Sequence, residues 1–174
     1  MRLYHGSSVS IEKPDVSLNT GFSDLGTGFY LTDDLAAAQR RAASRARMDG
    51  TESGVVSAYE FNQDAIEWVS WGTEKTMPAS SRFGLYFADD TQGIAAWARY
   101  IESCRKGRTE VDGIGDPAVV RAWIATEEIE IVCAGLLSAD ELAEFIEVSE
   151  LIVQYCLREQ RLVDEHLRFV EAIA

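Results

Sequence analysis

The sequence is poor in cysteine, histidine and proline. Its 174 residues include three cysteines, two histidines and three prolines. Cys104, Cys133 and Cys156 are odd in number and form no C-x-x-C pair, which argues against a disulfide framework and against a structural zinc site. We therefore expect no metal centre, and the same cysteine usage predicts a reducing, cytoplasmic location.

Long apolar runs and excess positive charge are also lacking. No stretch approaches the roughly 20 apolar residues of a membrane helix, and the opening MRLYHGSS has no apolar run of the signal-peptide kind. The formal net charge is −13, and an acidic field of this size repels a phosphate backbone. These features predict neither membrane association nor general nucleic-acid binding, although backbone N–H groups and a few arginines can still hold a small anion.

Several familiar catalytic and nucleotide-binding motifs are missing. The chain has no G-x-S-x-G nucleophile elbow and no phosphate-cradling G-x-x-x-x-G-K. Gly26-Thr27-Gly28 lacks a third glycine and precedes a predicted strand, so it is not a Rossmann turn. The acidic pairs at 33–34 and 89–90 are better explained as helix caps than as cation ligands.

What is present is an ordinary globular composition, with 47% hydrophobic and 26% charged residues. The length fits one domain spanning residues 1–174. Apolar spacing predicts strands and helices that intermingle without regular β-α alternation, which favours an α+β fold over a doubly wound sheet.

The predicted elements follow from periodicity and capping signals. Strands are expected at 1–4, 29–32, 55–61 and 151–157, with a further candidate at 65–69. Helices are expected at 35–47, 91–103, 139–148 and 162–174. Segments 119–126 and 126–135 stay undecided between strand and helix, and 70–82 and 106–116 are predicted to be loops.

Two glycine-bearing segments hold the candidate functional residues. In GFSDLGTGFYLTD, at 21–33, three glycines precede the pair Phe29-Tyr30, which offers close approach to the main chain and a ring for stacking. His5 follows an apolar strand and precedes a glycine, and a histidine held there in one tautomer suits a sugar hydroxyl. The alternatives are that the glycine segment is only a turn leading into a core strand and that His5 has only a structural role.

LYHGS at 3–7 together with GTGFYLT at 26–32 resembles the ADP-ribosyltransferase superfamily. More narrowly, the pair is similar to an uncharacterised bacterial branch with LYHGS and GKGFYLT-like motifs, of the His-Tyr-Gln type. VQYCL at 153–157 is similar to the late strand of that branch. The resemblance implies a split β-sheet core flanked by helices. It also implies a mono-ADP-ribosyltransferase that takes NAD as co-substrate and modifies an unknown protein or small-molecule acceptor.

The resemblance further implies roles for individual residues. His5, Tyr30 and Gln154 would be the catalytic residues, with His5 bonding the ribose next to the nicotinamide and Tyr30 stacking on the nicotinamide ring. Gly6 would offer its backbone to the nicotinamide amide. The NAD-binding set would also include Ser7, Gly28, Phe29 and Thr32.

Gln154 departs from the glutamate that many superfamily members carry at the third position. A glutamine can donate and accept hydrogen bonds but cannot act as a base. Glu150, four residues earlier, is predicted to share the strand and face of Gln154. Gln154 therefore leaves open a non-catalytic NAD- or nucleotide-binding module, and the charge of −13 leaves open an acidic module that binds a basic protein partner.

Overall fold

Eight β-strands form one sheet in the computed structural model of the protein, which describes residues 1–19, 23–71, 82–109 and 115–173. Within these ranges five α-helices flank the sheet. The strands are β1 Arg2–Ser7, β2 Phe29–Thr32, β3 Val55–Phe61, β4 Glu67–Trp71, β5 Phe83–Phe87, β6 Val119–Trp123, β7 Val153–Leu157 and β8 Leu167–Ile173. The helices are α1 Leu35–Asp49, α2 Thr91–Arg105, α3 Glu127–Cys133, α4 Ala139–Ala143 and α5 Gln160–His166.

The sheet is mixed, with the strand order β4-β5-β6-β7-β2-β1-β3-β8. Strands β4, β5 and β6 pair in parallel, and all other neighbours pair antiparallel. Parallel and antiparallel pairing in one sheet with interspersed helices confirms the predicted α+β class.

Acidic residues start the two long helices, as predicted. The side chain of Asp34 accepts a hydrogen bond from the Ala37 N–H, and that of Asp90 accepts one from the Gly93 N–H, both at 2.7 Å. Helix α1 ends at Asp49 and is capped by Gly50, whose φ of 69° is the left-handed conformation that favours glycine. The predicted capping box at Ser138 is present, but α4 ends at Ala143 instead of residue 148.

The predicted closing helix at 162–174 is wrong. Helix α5 ends at His166, and β8 continues to Ile173 in antiparallel pairing with β3; residue 174 lies outside the described ranges. The Phe169 ring makes an edge contact with Tyr59 of β3, with ring centroids 5.9 Å apart. Pairing with the open edge of β3 overrides the helical spacing of the apolar residues in this segment.

Two strand boundaries also differ from the prediction, and both move candidate residues. Strand β1 pairs with β3 over all six of its residues, so His5, Gly6 and Ser7 lie inside the strand instead of following it. Strand β7 begins at Val153, and residues Val148–Glu150 form a 3₁₀ turn. The prediction that Glu150 shares a strand with Gln154 is therefore wrong.

The segments left undecided now have assignments. The candidate strand at 65–69 overlaps β4, which runs from Glu67 to Trp71, while 119–126 contains β6 and 126–135 contains α3. Strand β5 (FGLYF) was not predicted, although its short apolar run is typical of a strand buried in parallel pairing. Of the predicted loops, 72–81 and 110–114 lie outside the described ranges, and Ser70 and Trp71 belong to β4.

Each face of the sheet is covered by its own core. On the first face, α1 covers β1 and β3, while α2, α3 and α4 cover β5 and β6 around the fully buried Trp97. On the second face, Leu3, Phe29, Tyr59 and Phe61 pack with α5. Among the described residues, no helix combines the length and apolar character needed to cross a membrane.

Candidate functional site

The three predicted catalytic residues lie on three neighbouring strands at the centre of the sheet. Strand β2 lies between β1, which carries His5, and β7, which carries Gln154. Thr32 stands opposite both Tyr4 and Gln154 in the two antiparallel pairings, and Tyr30 stands opposite Cys156. Segments separated by more than 120 residues in the chain therefore meet around β2.

The side chains of these three residues do not all point to the same side of the sheet. Consecutive residues of a strand point to opposite faces, so Phe29 and Tyr30 diverge. The His5 ring stacks on Phe29, with ring centroids 4.4 Å apart, and so belongs to the second face. Tyr30 packs against the first-face core, and Gln154 shares that face because it stands opposite Thr32.

Backbone pairing between β1 and β2 stops beside His5, and we call the unpaired stretch beyond the last pair the β1–β2 gap. The ladder between these two strands consists of one pair, Tyr4 opposite Thr32. The backbone nitrogen and carbonyl of Met1 point toward β3, because both form hydrogen bonds with Phe61. Along an antiparallel strand, the N–H and C=O groups of successive residues point to alternate sides. The peptide groups of even-numbered β1 residues therefore point toward β2, and those of Gly6 point into the gap just beyond the last pair.

His5 is fixed at this gap by one hydrogen bond. Its Nδ1 lies 2.7 Å from the backbone carbonyl oxygen of Tyr30; because a carbonyl only accepts, Nδ1 carries the hydrogen and donates it. Burial lowers the pKa of His5, the Tyr30 carbonyl raises it, and the positive charges of Arg41 and Arg45 lower it further. The ring is neutral at pH 7, and its Nε2 is left as a hydrogen-bond acceptor. Ser7, two residues later, lies on the same face.

The lowered pKa of His5 predicts a loss of stability in mild acid. Below about pH 6.5 the unfolded chain binds a proton at this residue that the folded protein resists, so the free energy of unfolding falls as pH decreases. The slope from this residue is at most about 1.4 kcal/mol per pH unit. Urea unfolding of the wild type and of His5→Asn between pH 7.5 and 5.5 measures this slope. Asparagine keeps a donor for the Tyr30 carbonyl without titrating, and identical pH profiles would contradict the prediction.

Gly6 and Gly28 are both needed for close packing. A Cβ built on Gly6 would lie 2.7 Å from the Ala42 nitrogen of α1 and closer still to the Ala38 oxygen. A Cβ on Gly28 would lie 2.6 Å from the Sγ of Cys156. Helix α1 therefore covers the Cα of Gly6 on the first face, so only the peptide groups of this residue face the gap.

Tyr30 organises the glycine loop that precedes β2. Its hydroxyl donates to the Gly26 carbonyl at 2.7 Å and accepts from the Leu25 N–H at 2.9 Å. Gly26 has a φ of 83°, and Asp24 at the start of the loop pairs with Arg105 at 2.8 Å. Burial raises the pKa of Tyr30 well above its ordinary value, and the neighbouring Cys156 raises it further. The phenol therefore stays protonated. Stacking of Tyr30 on a nicotinamide ring stays a prediction.

We expect Tyr30→Phe to loosen this loop. Removing the hydroxyl leaves the Leu25 N–H without its partner and leaves the Gly26 carbonyl only the long bond from the Cys156 thiol at 3.9 Å, which costs about 1–2 kcal/mol of the free energy of unfolding. Tyr4→Phe is the matched control, because the Tyr4 hydroxyl has no hydrogen-bond partner in the described part of the chain. Urea unfolding compares the two, and amide hydrogen exchange at 24–28 should rise only in Tyr30→Phe. Equal stability of both variants would show that the loop does not depend on the hydroxyl.

The polar groups of Gln154 and Thr32 are engaged within the protein. Gln154 is 9% exposed, and its Nε2 donates to the Trp123 carbonyl at 3.3 Å. The same carbonyl accepts from the Trp97 indole N–H at 3.2 Å. The Thr32 hydroxyl donates to the Val153 carbonyl at 2.7 Å and accepts from the Asp34 N–H at 3.1 Å. Thr32 therefore orients the turn into α1, and Gln154 joins β7 to β6.

Sequence reasoning missed the residues that support this site. Trp123 orients Gln154, and Arg41 and Arg45 act electrostatically on His5. The only sequence signal for the arginines is the basic run QRRAASRAR in α1, and nothing in it shows which side of the helix faces β1. In the part of the chain that the structure describes, no group of three or more His, Cys, Asp or Glu residues is placed to hold a metal ion.

Comparison with known proteins identifies a family without an assigned activity. The family model described as "Protein of unknown function (DUF3990)" matches residues 1–169. No curated protein matches the chain significantly. The matched region contains both glycine-bearing segments and β7, and it ends within β8. Since it covers nearly the entire sequence, the chain belongs to the DUF3990 family.

Proposed function

We propose that this protein binds NAD at the gap between β1 and β2 and transfers ADP-ribose from it to an acceptor. The observation that carries the proposal is the combination of two features at this gap. His5 presents an acceptor Nε2 that its Nδ1 bond to Tyr30 holds in place, and Gly6 points its peptide groups into the opening beyond the single β1–β2 pair. The arrangement supports the LYHGS and GTGFYLT resemblance, and the short ladder is compatible with the split sheet that the resemblance implies.

The chemistry needs two kinds of contact, and the gap offers both. A nicotinamide carboxamide has one donor and one acceptor edge, which complement the C=O and N–H of a strand residue such as Gly6. A ribose hydroxyl can donate to Nε2 of His5. Cleavage of the N-glycosidic bond leaves its electron pair on neutral nicotinamide and forms an oxocarbenium-like carbon. The acceptor forms the new bond to that carbon and releases a proton.

Gln154 supports a second candidate, in which NAD is bound but not turned over. Its Nε2 donates to the Trp123 carbonyl, the residue carries no negative charge, and its side chain lies on the opposite sheet face from His5. A glutamine in this position can orient a group through its Oε1 but cannot remove a proton from an acceptor. For the transfer proposal, in contrast, the net charge of −13 favours an acceptor with a positively charged surface.

Labelled NAD and purified protein separate these functions. Calorimetry measures NAD binding, and nicotinamide release together with label transfer in cell extract measures turnover. His5→Asn keeps the donor to the Tyr30 carbonyl but lacks Nε2, so NAD affinity should fall about tenfold without unfolding. His166→Asn in α5 is the matched control and should bind normally. Binding without turnover would support the second candidate, and absence of NAD binding would reject both.

A further inference from the structure

The segment 122–157 carries negative charge and no positive charge. It contains eight Asp and Glu residues and no Lys, Arg or His. This one segment therefore supplies more than half of the formal net charge of −13. Helices α3 and α4 both belong to it and pack on the first face of the sheet, so the negative charge of the protein is concentrated around these two helices.

The same segment exposes large apolar side chains. Leu136 is 81% exposed, Phe145 58% and Ile131 44%. At the end of α3, the Leu136 N–H donates to the Ile131 carbonyl at 3.1 Å, and the Gly135 N–H donates to the Val132 carbonyl at 2.9 Å. With Gly135 at a φ of 73°, these bonds form the helix ending that places the Leu136 and Ile131 side chains next to each other. Two exposed apolar side chains therefore form one patch.

An open groove with a volume of about 550 Å³ adjoins this patch. Leu136 lines it together with residues of α2 and with the first turn of α4. The positive charges of α2 are already paired here, since Arg99 forms a salt bridge with Asp140 and Arg105 forms one with Glu130. The groove therefore has an apolar end and no unpaired cation among the described residues that line it.

Unpaired carboxylates border the exposed apolar side chains. Glu127 lies one helical turn before Ile131 on the same side of α3. Glu144 and Glu147 flank Phe145 after the end of α4. All three glutamates are exposed, and none has a hydrogen-bond or ion-pair partner in the part of the chain that the structure describes. We call the surface formed by residues 127–147 the acidic apolar face.

We propose that the acidic apolar face binds a basic amphipathic helix of a partner protein. Exposed apolar side chains grouped within a polar rim mark interaction surfaces, and an amphipathic helix would cover them with its apolar stripe. Lysines and arginines beside that stripe would meet Glu127, Glu144 and Glu147, which gives the complex complementary charge. A second copy of this chain would instead bring like charges together, so the partner is a different protein.

A synthetic helix of Leu and Lys, about 18 residues long with Leu along one face, tests this proposal. We expect it to bind the full chain and to shift the NMR amide signals of residues 127–147, whereas the same peptide with Glu in place of Lys should not bind. Leu136→Ser should weaken binding about tenfold. Leu18→Ser is the matched control, because Leu18 is also 81% exposed but lies elsewhere in the chain, and it should leave binding unchanged.

Two double variants with the same loss of charge test the acidic rim. Glu144→Gln/Glu147→Gln should weaken binding about fivefold at low salt, and Glu12→Gln/Glu52→Gln, at exposed positions outside the face, should have little effect. Equal weakening by both pairs, or equal binding by Leu136→Ser and Leu18→Ser, would show attraction by net charge alone and overturn the proposal. Absence of binding, or equally tight binding of the Leu/Glu peptide, would also overturn it. None of these measurements involves NAD, so their failure leaves the proposed function unaffected.

Discussion

Gly6→Ala should destabilise the protein more than any other single methyl group added at the site. The new Cβ would overlap backbone atoms of Ala38 and Ala42 in α1, and these cannot move aside as the end of a flexible side chain can. Separating α1 from β1 to make room would also open the contacts of Ala38 and Ala42 with Val56. We expect a loss of at least about 3 kcal/mol in the free energy of unfolding, measured by urea titration.

Gly50→Ala is the matched control for this substitution. Gly50 has a φ of 69°, but nothing lies within 4 Å of a Cβ built there. The alanine variant therefore experiences only the left-handed strain of about 1–2 kcal/mol. If Gly6→Ala were no less stable than Gly50→Ala, α1 would not cross β1 as closely as the structure places it. Loss of NAD binding in Gly6→Ala alone would not show that Gly6 contacts a ligand, because the change disturbs α1 first.

The sequence predicted the local elements around the site better than the edges of the sheet. Strand β3, helix α1 and the Asp34 and Asp90 caps follow from periodicity and side-chain hydrogen bonding within a few residues, so they were predicted correctly. Strand β8 was not, because its partner β3 lies more than 100 residues earlier in the chain. Its spacing of apolar residues fits a helix as well as a half-buried strand.

Within the site, the sequence identified segments but not side-chain directions. The LYHGS and GTGFYLT segments do lie on adjacent strands, as a shared site requires. The pairing of Tyr4 with Thr32 and the stacking of His5 on Phe29 decide that His5 and Tyr30 point to opposite faces. This follows from register between strands, which a single sequence does not encode locally. Likewise, the bond from Gln154 to Trp123 depends on β6, whose segment the sequence left undecided.

Gln154→Glu should destabilise the protein at neutral pH without producing a more active enzyme. Gln154 donates from Nε2 to the Trp123 carbonyl in a site that leaves 9% of the residue exposed. A carboxylate there would face an acceptor and would be desolvated, and both effects raise the pKa of the new glutamate above its ordinary value. The protonated form can still donate to the carbonyl, so the folded state favours it.

The sign of the pH dependence follows from that raised pKa. Below about pH 4.3 the glutamate is protonated in both the folded and the unfolded chain, and Gln154→Glu should be nearly as stable as the wild type. As pH rises toward 7, the unfolded chain loses the proton readily and the folded protein does not, so the free energy of unfolding falls by about 3 kcal/mol if the pKa rises by about two units. Urea titrations at pH 4 and pH 7 measure the difference.

Gln63→Glu adds the same charge at an exposed position and should show little of this pH dependence. If Gln154→Glu were equally stable at both pH values relative to this control, the Nε2 bond to Trp123 would not exist in solution.

The same variant bears on catalysis. A glutamate that remains protonated near neutral pH cannot orient a ribose by charge or serve as a base, so ADP-ribosyl transfer should not increase. A gain in nicotinamide release in Gln154→Glu at pH 7 would instead mean that the residue turns away from Trp123 toward the bound nucleotide.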